Sequence, residues 1–349
     1  MKKVSIANRL VGEGEPCFII AEAGVNHNGD VNLAKKLIEV AKESGADAVK
    51  FQAFKAEELV IKGAEKAEYQ KRTTGKEESQ FEMIKRLELS EEVHFELKDY
   101  ADSQGIVFLS TPYDEGSVDF LVKLGVSALK ISSADITNHP LLSHIAAKNL
   151  PLILSTGMSS LGEVEEAVEV IVNGGNQQII LLHCVSCYPA KIEDVNLRAI
   201  KTLRQTFRLP VGLSDHTLGI TIPIAAVALG ACAIEKHFTL DKNLPGPDHR
   251  ASLEPEELKG MVKAIKDVEK ALGNGIKRLT VAEEENKKAA RRSLVTRVDI
   301  PAGAVITEEM LDVKRPGNGI EPKYINLIIG RRAKETIGSG EVITFSKVM

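Results

Sequence analysis

The strongest constraint on the fold is a unit that recurs along the chain. Each unit consists of a short apolar run, a polar residue at its end and then an amphipathic stretch. The runs lack the apolar–polar alternation of half-exposed strands, so they are typical of strands buried on both faces of a parallel sheet. Eight such runs span residues 17–21, 48–51, 106–109, 128–131, 152–154, 179–182, 211–213 and 231–234.

The stretches between these runs have helical periodicity. Residues 32–44, 162–173 and 255–272 repeat apolar side chains every three or four positions, and each stops next to a glycine. Eight strand–helix units within roughly 270 residues match the size of a (β/α)₈ barrel. A doubly wound open sheet is the alternative, although it requires a reversal of strand order and usually has fewer strands. We therefore predict an α/β fold of the (β/α)₈ TIM-barrel type.

Two parts of the chain depart from this pattern. Residues 62–79 are charged and contain Thr and Gly, so we expect an inserted loop over one end of the barrel. After Gly273, a charged helical linker precedes short strand-like runs at residues 293–296 and 342–345. The small tail has a marginal core alone, and we expect it to dock on another surface. The predicted divisions are a barrel domain, a linker and a second domain over residues 1–282, 283–290 and 291–349.

Composition excludes several classes of function. The 349 residues include 45 Lys and Arg against 49 Asp and Glu, and this near balance argues against nucleic acid or a membrane surface as the main partner. Four cysteines are too few for a disulfide-rich scaffold and indicate thiols in a reducing compartment. No apolar segment approaches the roughly 18 residues of a membrane-spanning helix, and the first residues lack the apolar core of a signal peptide. We expect a cytoplasmic protein.

Polar side chains follow every predicted strand at its carboxyl end, where barrel enzymes have their active sites. Lys50 and Lys130, together with Ser133, Ser155 and Ser214, combine two cations with hydroxyl donors. Such a set suits a phosphate ligand, or a phosphate and a carboxylate on one ligand. The alternative is that each lysine only pairs with a neighbouring acidic residue.

His216 and His237 follow adjacent predicted strands, with Glu235 and Asp248 near them in the sequence. Two imidazoles from neighbouring strands can reach one divalent ion and leave positions open for water and substrate. Nitrogen and oxygen ligands of this kind suit Mn²⁺, Co²⁺, Fe²⁺ or Zn²⁺. The alternative is a pair of structural histidines. A nucleotide cofactor is not expected, because no glycine-rich phosphate-binding motif occurs.

Several motifs together resemble the bacterial sialic acid synthase family. The resemblance covers nearly the whole chain, and the tail is similar to that family's antifreeze-like (SAF) domain, a small β-clip fold. The motifs include AEAGVNHNG at residues 21–29, AVKFQ at 48–52, EYQ at 68–70, KISS at 130–133, GLSDHT at 212–217, EKHFT at 235–239 and KRPG at 314–317.

The resemblance implies a transferase that condenses phosphoenolpyruvate with N-acetylmannosamine or a related 2-acetamido aldose. N-acetylneuraminate and phosphate are the implied products for the first sugar. The implied contacts to phosphoenolpyruvate fall on Lys50, Gln52, Thr111, Lys130, Ser133, Ser155 and Ser214. The implied metal ligands are His216 and His237, with Mn²⁺ as the expected ion and Mg²⁺ or Co²⁺ as alternatives.

The resemblance also implies residues on the sugar side of the site. Glu22, Tyr188 and Asp248 line the sugar and the reacting atoms, and Glu22, Lys50, Lys130, Tyr188 and Asp248 are the expected catalytic set. Arg315 is expected to reach the N-acetyl group of the sugar from the antifreeze-like domain of a second subunit. The protein is therefore expected to be a domain-swapped homodimer.

Alternatives from two classes stay open. The same scaffold serves other aldoses, such as 2,4-diacetamido-2,4,6-trideoxymannose with a legionaminate-type product, and it also serves pseudaminate-type and spore-coat synthases. A second class is a non-catalytic protein that binds a sugar or ice, because the tail resembles ice-binding folds. Ice binding requires a flat, weakly charged surface, whereas this tail is cationic. Its basic residues include Arg291, Arg292, Lys314, Arg315, Arg331 and Arg332.

Overall fold

Eight parallel strands form a nearly closed barrel in the first part of the chain. The computed structural model describes residues 2–75 and 77–349, and it divides into two units between Gly273 and Asn274. All eight predicted runs are strands, and within the described chain ladders join all neighbouring pairs except the third and fourth strands. In chain order the strands are Phe18–Gly24, Ala48–Ala53, Val107–Pro112, Leu129–Ile131, Leu152–Ser155, Ile179–Cys184, Val211–Asp215 and Ala233–His237.

Helices surround this barrel, and the three predicted helical stretches are among them. Apolar side chains of the strands pack in two layers, since alternate residues face the barrel interior and the helices. Phe18 and Ile20 belong to the inner cluster, whereas Ile19 and Ala21 pack with the helices. Burial on both faces explains why the runs lack alternation. The helices are Val31–Glu43, Ala56–Leu59, Glu68–Thr74, Gln80–Leu87, Glu91–Gln104, Glu115–Leu124, His139–Ala146, Leu161–Asn173, Ala199–Phe207, Thr221–Ala228 and Pro255–Leu272.

Two features of this unit were not expected from the sequence. An antiparallel hairpin, Val4–Ile6 with Arg9–Val11, places Val4, Ile6 and Val11 in the inner cluster of the barrel. The charged insert, expected to be a loop, contains the helix Glu68–Thr74. That helix begins where Gln70 Oε1 accepts a hydrogen bond from the backbone N–H of Ala67, at 2.9 Å. This helix has a capping contact at its start, but its sequence lacks the apolar periodicity by which other helices were predicted.

The second unit has its own small core. The helix Val281–Ala290 precedes two antiparallel strands, Ser293–Thr296 and Leu311–Lys314. The first strand was predicted, but the strand expected at residues 342–345 was not found. In its place, an isolated bridge joins Val342 to Val295, and the backbone N–H groups of Thr296 and Ile343 donate to the carbonyls of Glu341 and Leu294. Around these strands the core consists of Leu294, Ile300, Ile306, Leu311, Ile320, Ile328, Ala333, Ile337 and Ile343.

Candidate functional site

A cavity of about 550 Å³ lies at the carboxyl ends of the barrel strands. The parallel register aligns the strand ends. Glu22 lies opposite Lys50 on one neighbouring strand and opposite His237 on the other. Twelve of the thirteen residues predicted from the sequence line this cavity. They are Glu22, Lys50, Gln52, Thr111, Lys130, Ser133, Ser155, Tyr188, Ser214, His216, His237 and Asp248. Their individual roles stay predictions.

Lys50 is buried at the centre of an ionic network. Its Nζ lies 2.8 Å from Glu22 Oε2 and 3.5 Å from Glu235 Oε2, and it donates to Thr111 Oγ1 at 2.9 Å. Burial opposes the charged form of Lys50, but the two carboxylates outweigh it and raise the pKa of the lysine. The two carboxylates therefore favour the charged form of Lys50 in the cavity.

Lys130 is a second buried cation in the same network. Its Nζ donates to Ser155 Oγ at 2.7 Å and to the backbone carbonyl of Ile131 at 2.9 Å. Glu235 Oε1 lies 3.9 Å away. Burial lowers the pKa of Lys130, and Glu235 opposes that shift. Because its nearest carboxylate is 3.9 Å away and also lies beside Lys50, the ammonium of Lys130 is only partly balanced and favours an incoming anion.

Glu235 belongs to the site although the sequence analysis did not assign it a role. It accepts a hydrogen bond from Ser214 Oγ at 2.8 Å and lies between Lys50 and Lys130. Burial raises its pKa, but both lysines outweigh burial and hold the pKa well below its usual range. The pKa of Glu22 shifts the other way, because burial raises it more than Lys50 lowers it. Glu235 thus favours the ionised form, whereas Glu22 keeps its proton up to a higher pH than Glu235 does.

His216 and His237 lie side by side, with their ring centroids 5.4 Å apart. Within the described chain, His216 Nδ1 hydrogen-bonds to the backbone carbonyl of Val185 at 2.9 Å. A carbonyl oxygen accepts, so Nδ1 carries a hydrogen, and in the neutral ring the lone pair lies on Nε2. Burial, His216 and Lys50 lower the pKa of His237, whose buried Nδ1 has no described partner. Both rings therefore suit a metal ion.

The donor set around these histidines is small. No group of three or more His, Cys, Asp and Glu side chains in residues 2–75 and 77–349 is arranged to hold a metal ion. A divalent ion would thus have two protein ligands and several positions open for water and substrate. This arrangement fits a catalytic metal and does not fit a closed structural zinc site.

Two tyrosine rings stack beside the histidines. Tyr188 packs 4.1 Å from the His216 ring centroid and meets His237 edge-on at 5.6 Å. Tyr69 stacks on Tyr188 with a centroid distance of 5.1 Å and an interplanar angle of 24°. Tyr69 belongs to the EYQ motif, for which no function was predicted from the sequence. The structure shows that Tyr69 and Gln70 line the cavity.

Asp248 contributes a buried carboxyl group to the cavity wall, and its side chain makes no hydrogen bond within the described chain. Burial raises its pKa to about 6, and the charge of His216 opposes this shift. A group with a raised pKa is fully ionised only at pH values above that pKa.

We expect kcat/KM to fall as the pH drops through about 6, because Asp248 then takes up a proton and loses the negative charge that strengthens its hydrogen bonds from a sugar. Asp248→Asn should be slower at every pH and should lack this acidic inflection. Steady-state kinetics from pH 5 to 9 measures both profiles. An unchanged inflection in Asp248→Asn would assign it to another group.

Arg315 is the one predicted site residue outside the first unit. It is exposed and directly follows the strand Leu311–Lys314 in the second unit. Its expected contact with the sugar stays a prediction.

Comparison with known proteins decides the family. The NeuB family model matches residues 37–277, which is more than half of the chain, and the SAF domain model matches residues 291–349. The chain belongs to the NeuB family. Its resemblance to the bacterial sialic acid synthases is thereby confirmed, together with the barrel fold and the antifreeze-like domain.

Individual relatives agree with this assignment. The chain is 53% identical over 341 residues to the N,N'-diacetyllegionaminic acid synthase of Legionella pneumophila, covering 97% of this chain and 96% of that protein. It is 52% identical over 328 residues to the enzyme of the same name from Campylobacter jejuni, covering 93% and 98%. The crystal structure of the N-acetylneuraminic acid synthetase from Leptospira borgpetersenii superposes with a TM-score of 0.72 at 38% identity, covering 82% and 95%.

These findings place the NeuB-family chain among sugar-acid synthases, which are enzymes. They do not confirm N-acetylneuraminate as the product, because the two relatives above 50% identity are named for legionaminic acid. Among the described residues, no helix combines the length and the apolar character needed to cross a membrane.

Proposed function

We propose that this NeuB-family enzyme condenses phosphoenolpyruvate with 2,4-diacetamido-2,4,6-trideoxymannose and water, giving N,N'-diacetyllegionaminate and phosphate. N-acetylmannosamine, with N-acetylneuraminate as product, is the second candidate substrate. The observation that carries the proposal is the meeting of two buried lysines and two metal-competent histidines in one cavity. The two lysines suit the anionic substrate. A divalent ion held by the two histidines would suit the aldehyde oxygen of the sugar.

The lysine side of the cavity fits phosphoenolpyruvate. Lys50 and Lys130 supply two positive charges, and Thr111 and Ser155 already hydrogen-bond to them. Glu22 and Glu235 both lie beside Lys50, whereas Lys130 has only the more distant Glu235, so Lys130 is the less balanced cation and favours an anionic group. Charge-assisted hydrogen bonds in a buried site position such groups strongly.

The other side of the cavity is apolar and favours the deoxy sugar. Val25, Phe54, Met83 and Leu87 form a buried cluster that lines the cavity. An apolar wall accepts the C6 methyl group and an acetamido methyl group of a trideoxy sugar. The hydroxyl groups at C4 and C6 of N-acetylmannosamine would lose hydration there. The identities of 53% and 52% to legionaminic acid synthases support the same substrate.

His216 and His237 would hold a divalent ion, with Mn²⁺ expected and Mg²⁺ or Co²⁺ as alternatives, which when bound supplies Lewis-acid polarisation of the aldehyde oxygen. Lys50 and Lys130 hold the phosphate and carboxylate so that C3 of phosphoenolpyruvate faces the aldehyde carbon. A C–C bond forms between these atoms, and the aldehyde oxygen takes up a proton. Positive charge then develops at C2 of the former phosphoenolpyruvate.

Water adds at this C2 and loses a proton. The resulting tetrahedral carbon releases phosphate by breaking its C–O bond, which leaves the keto acid. Glu22 is our candidate to hold or move a proton, since burial raises its pKa to about 7 and its Oε2 lies beside Lys50. Asp248 and Tyr188, which line the same cavity, would orient the sugar hydroxyl groups.

Phosphate release with each aldose tests the proposal. We expect phosphate from phosphoenolpyruvate only when an aldose is present, with the highest kcat/KM for the diacetamido sugar, and mass spectrometry identifies the product. A higher kcat/KM for N-acetylmannosamine would favour the second candidate. Release that is independent of any aldose would contradict condensation.

We also propose that the protein is a homodimer in which the SAF domain of one subunit supplies Arg315 to the sugar site of the other. The exposure and positive charge of Arg315 support this role, as does the family resemblance. Mixing Arg315→Ala with His237→Ala is then expected to restore activity, because a mixed dimer has one site with both residues intact. Phosphate release before and after mixing measures this. Two inactive variants that stay inactive in dimers shown to exchange subunits would contradict it.

A further inference from the structure

The segment of residues 65–75, called the strap here, crosses beside the cavity and is fixed by a buried cation. Lys66 is 4% exposed, and its Nζ donates to Thr74 Oγ1 at 2.9 Å and to Glu78 Oε1 at 3.3 Å. Glu78 in turn accepts two hydrogen bonds from Arg86, at 2.7 and 3.1 Å. A buried ammonium is costly unless it is paired, so these contacts favour one position of the strap.

The strap brings one aromatic side chain to the cavity. Tyr69, near the start of the helix Glu68–Thr74, stacks on Tyr188, and Tyr188 packs on His216. In the described chain, the polar contact of the Tyr69 hydroxyl is with Gln70 Nε2, which donates to it at 3.4 Å. The hydrogen of that hydroxyl therefore remains available for an acceptor on a ligand.

We propose that Tyr69 is a specificity-determining residue that binds the aldose through its ring face and its hydroxyl donor. This inference rests on the proposed function. The ring face takes the C–H groups of the sugar, and the hydroxyl donates to the carbonyl oxygen of an acetamido group. Tyr69 makes no described contact with Lys50 or Lys130, so it acts on the aldose and leaves the phosphoenolpyruvate subsite unchanged.

Two substitutions separate the ring from the hydroxyl. Tyr69→Ala removes both, and we expect the KM of the aldose to rise about thirtyfold. Tyr69→Phe keeps the stack on Tyr188, and we expect a rise of about fivefold. The KM of phosphoenolpyruvate should stay within about twofold in both variants, because its charge-assisted contacts are intact.

Lys71→Gln is the matched control on the same helix. Lys71 bonds to Glu65 and Glu68, each at 3.0 Å, and does not line the cavity. Its kinetics should equal those of the unmodified enzyme. A merely structural role of Tyr69 would instead raise both KM values together and lower the unfolding temperature, and that result would overturn the proposal.

Different results would contradict the role of Tyr69 and the proposed function. If the unmodified enzyme condenses the aldose but Tyr69→Ala leaves the aldose KM unchanged, the role of Tyr69 is wrong and the function stands. If no aldose supports phosphate release, the proposed function fails. Calorimetric titration with 2,4-diacetamido-2,4,6-trideoxymannose then decides the role of Tyr69. A weaker Kd in Tyr69→Ala supports it, and an equal Kd or an absence of binding to the unmodified protein overturns it.

Discussion

Lys130→Met is expected to lower kcat/KM for phosphoenolpyruvate by about a thousandfold. The substitution removes one of the two buried cations and leaves Glu235 balanced by Lys50 alone. The phosphate and carboxylate would then lose a charge-assisted partner both in the bound substrate and in the transition state. Steady-state kinetics with phosphoenolpyruvate as the varied substrate measures the loss.

Lys123→Met is a suitable control for this experiment. Lys123 is an exposed lysine on the helix Glu115–Leu124, and its replacement changes the net charge by the same amount. Its kinetics should match those of the unmodified enzyme. Denaturant unfolding of Lys130→Met shows whether the variant is folded. A folded Lys130→Met enzyme with normal kcat/KM would contradict a phosphate subsite at Lys130.

His216→Ala is expected to reduce turnover by at least about a thousandfold and to abolish tight binding of one divalent ion. The two imidazoles are the expected protein ligands of the ion. When one is removed, the single remaining imidazole cannot hold the ion tightly against its tendency to stay hydrated. Titration of the protein with Mn²⁺, followed by electron paramagnetic resonance, measures binding independently of activity. His237→Ala should behave in the same way.

His144→Ala provides the comparison for the two ligand variants. His144 is a partly exposed histidine that bonds to Asp119 at 2.9 Å and does not line the cavity. It should retain both Mn²⁺ binding and turnover. Normal turnover of His216→Ala after treatment with a chelator would contradict the metal role.

The barrel was predictable because each of its strands can be recognised from a short run of neighbouring residues. A strand buried on both faces has an uninterrupted apolar run, and the polar residue that ends it marks the functional edge of the sheet. Lys50 and His237 were found in this way. The hairpin that includes Val4 and Ile6 was missed because three-residue strands are too short to have a readable period.

Other parts of the site depend on contacts that a sequence pattern does not carry. Glu235 lies near the end of a strand as Lys50 does, but its position between two lysines arises only when distant strands close into a barrel. Tyr69 lies in a charged insert, and its proposed role rests on the stack with Tyr188, more than a hundred positions away in the chain. The sugar side is thus assembled from loops and helices whose contacts are long-range.

The most direct test of the central claim is the fate of an ¹⁸O label in the bridging oxygen of phosphoenolpyruvate. The reaction proposed here forms a C–C bond at C3 and breaks the C–O bond to phosphate, so all of the label should leave in inorganic phosphate. Isotope-shifted ³¹P resonances with the diacetamido aldose measure this directly. Label that remains in the sugar acid, or labelled phosphate that forms without any aldose, would contradict the account.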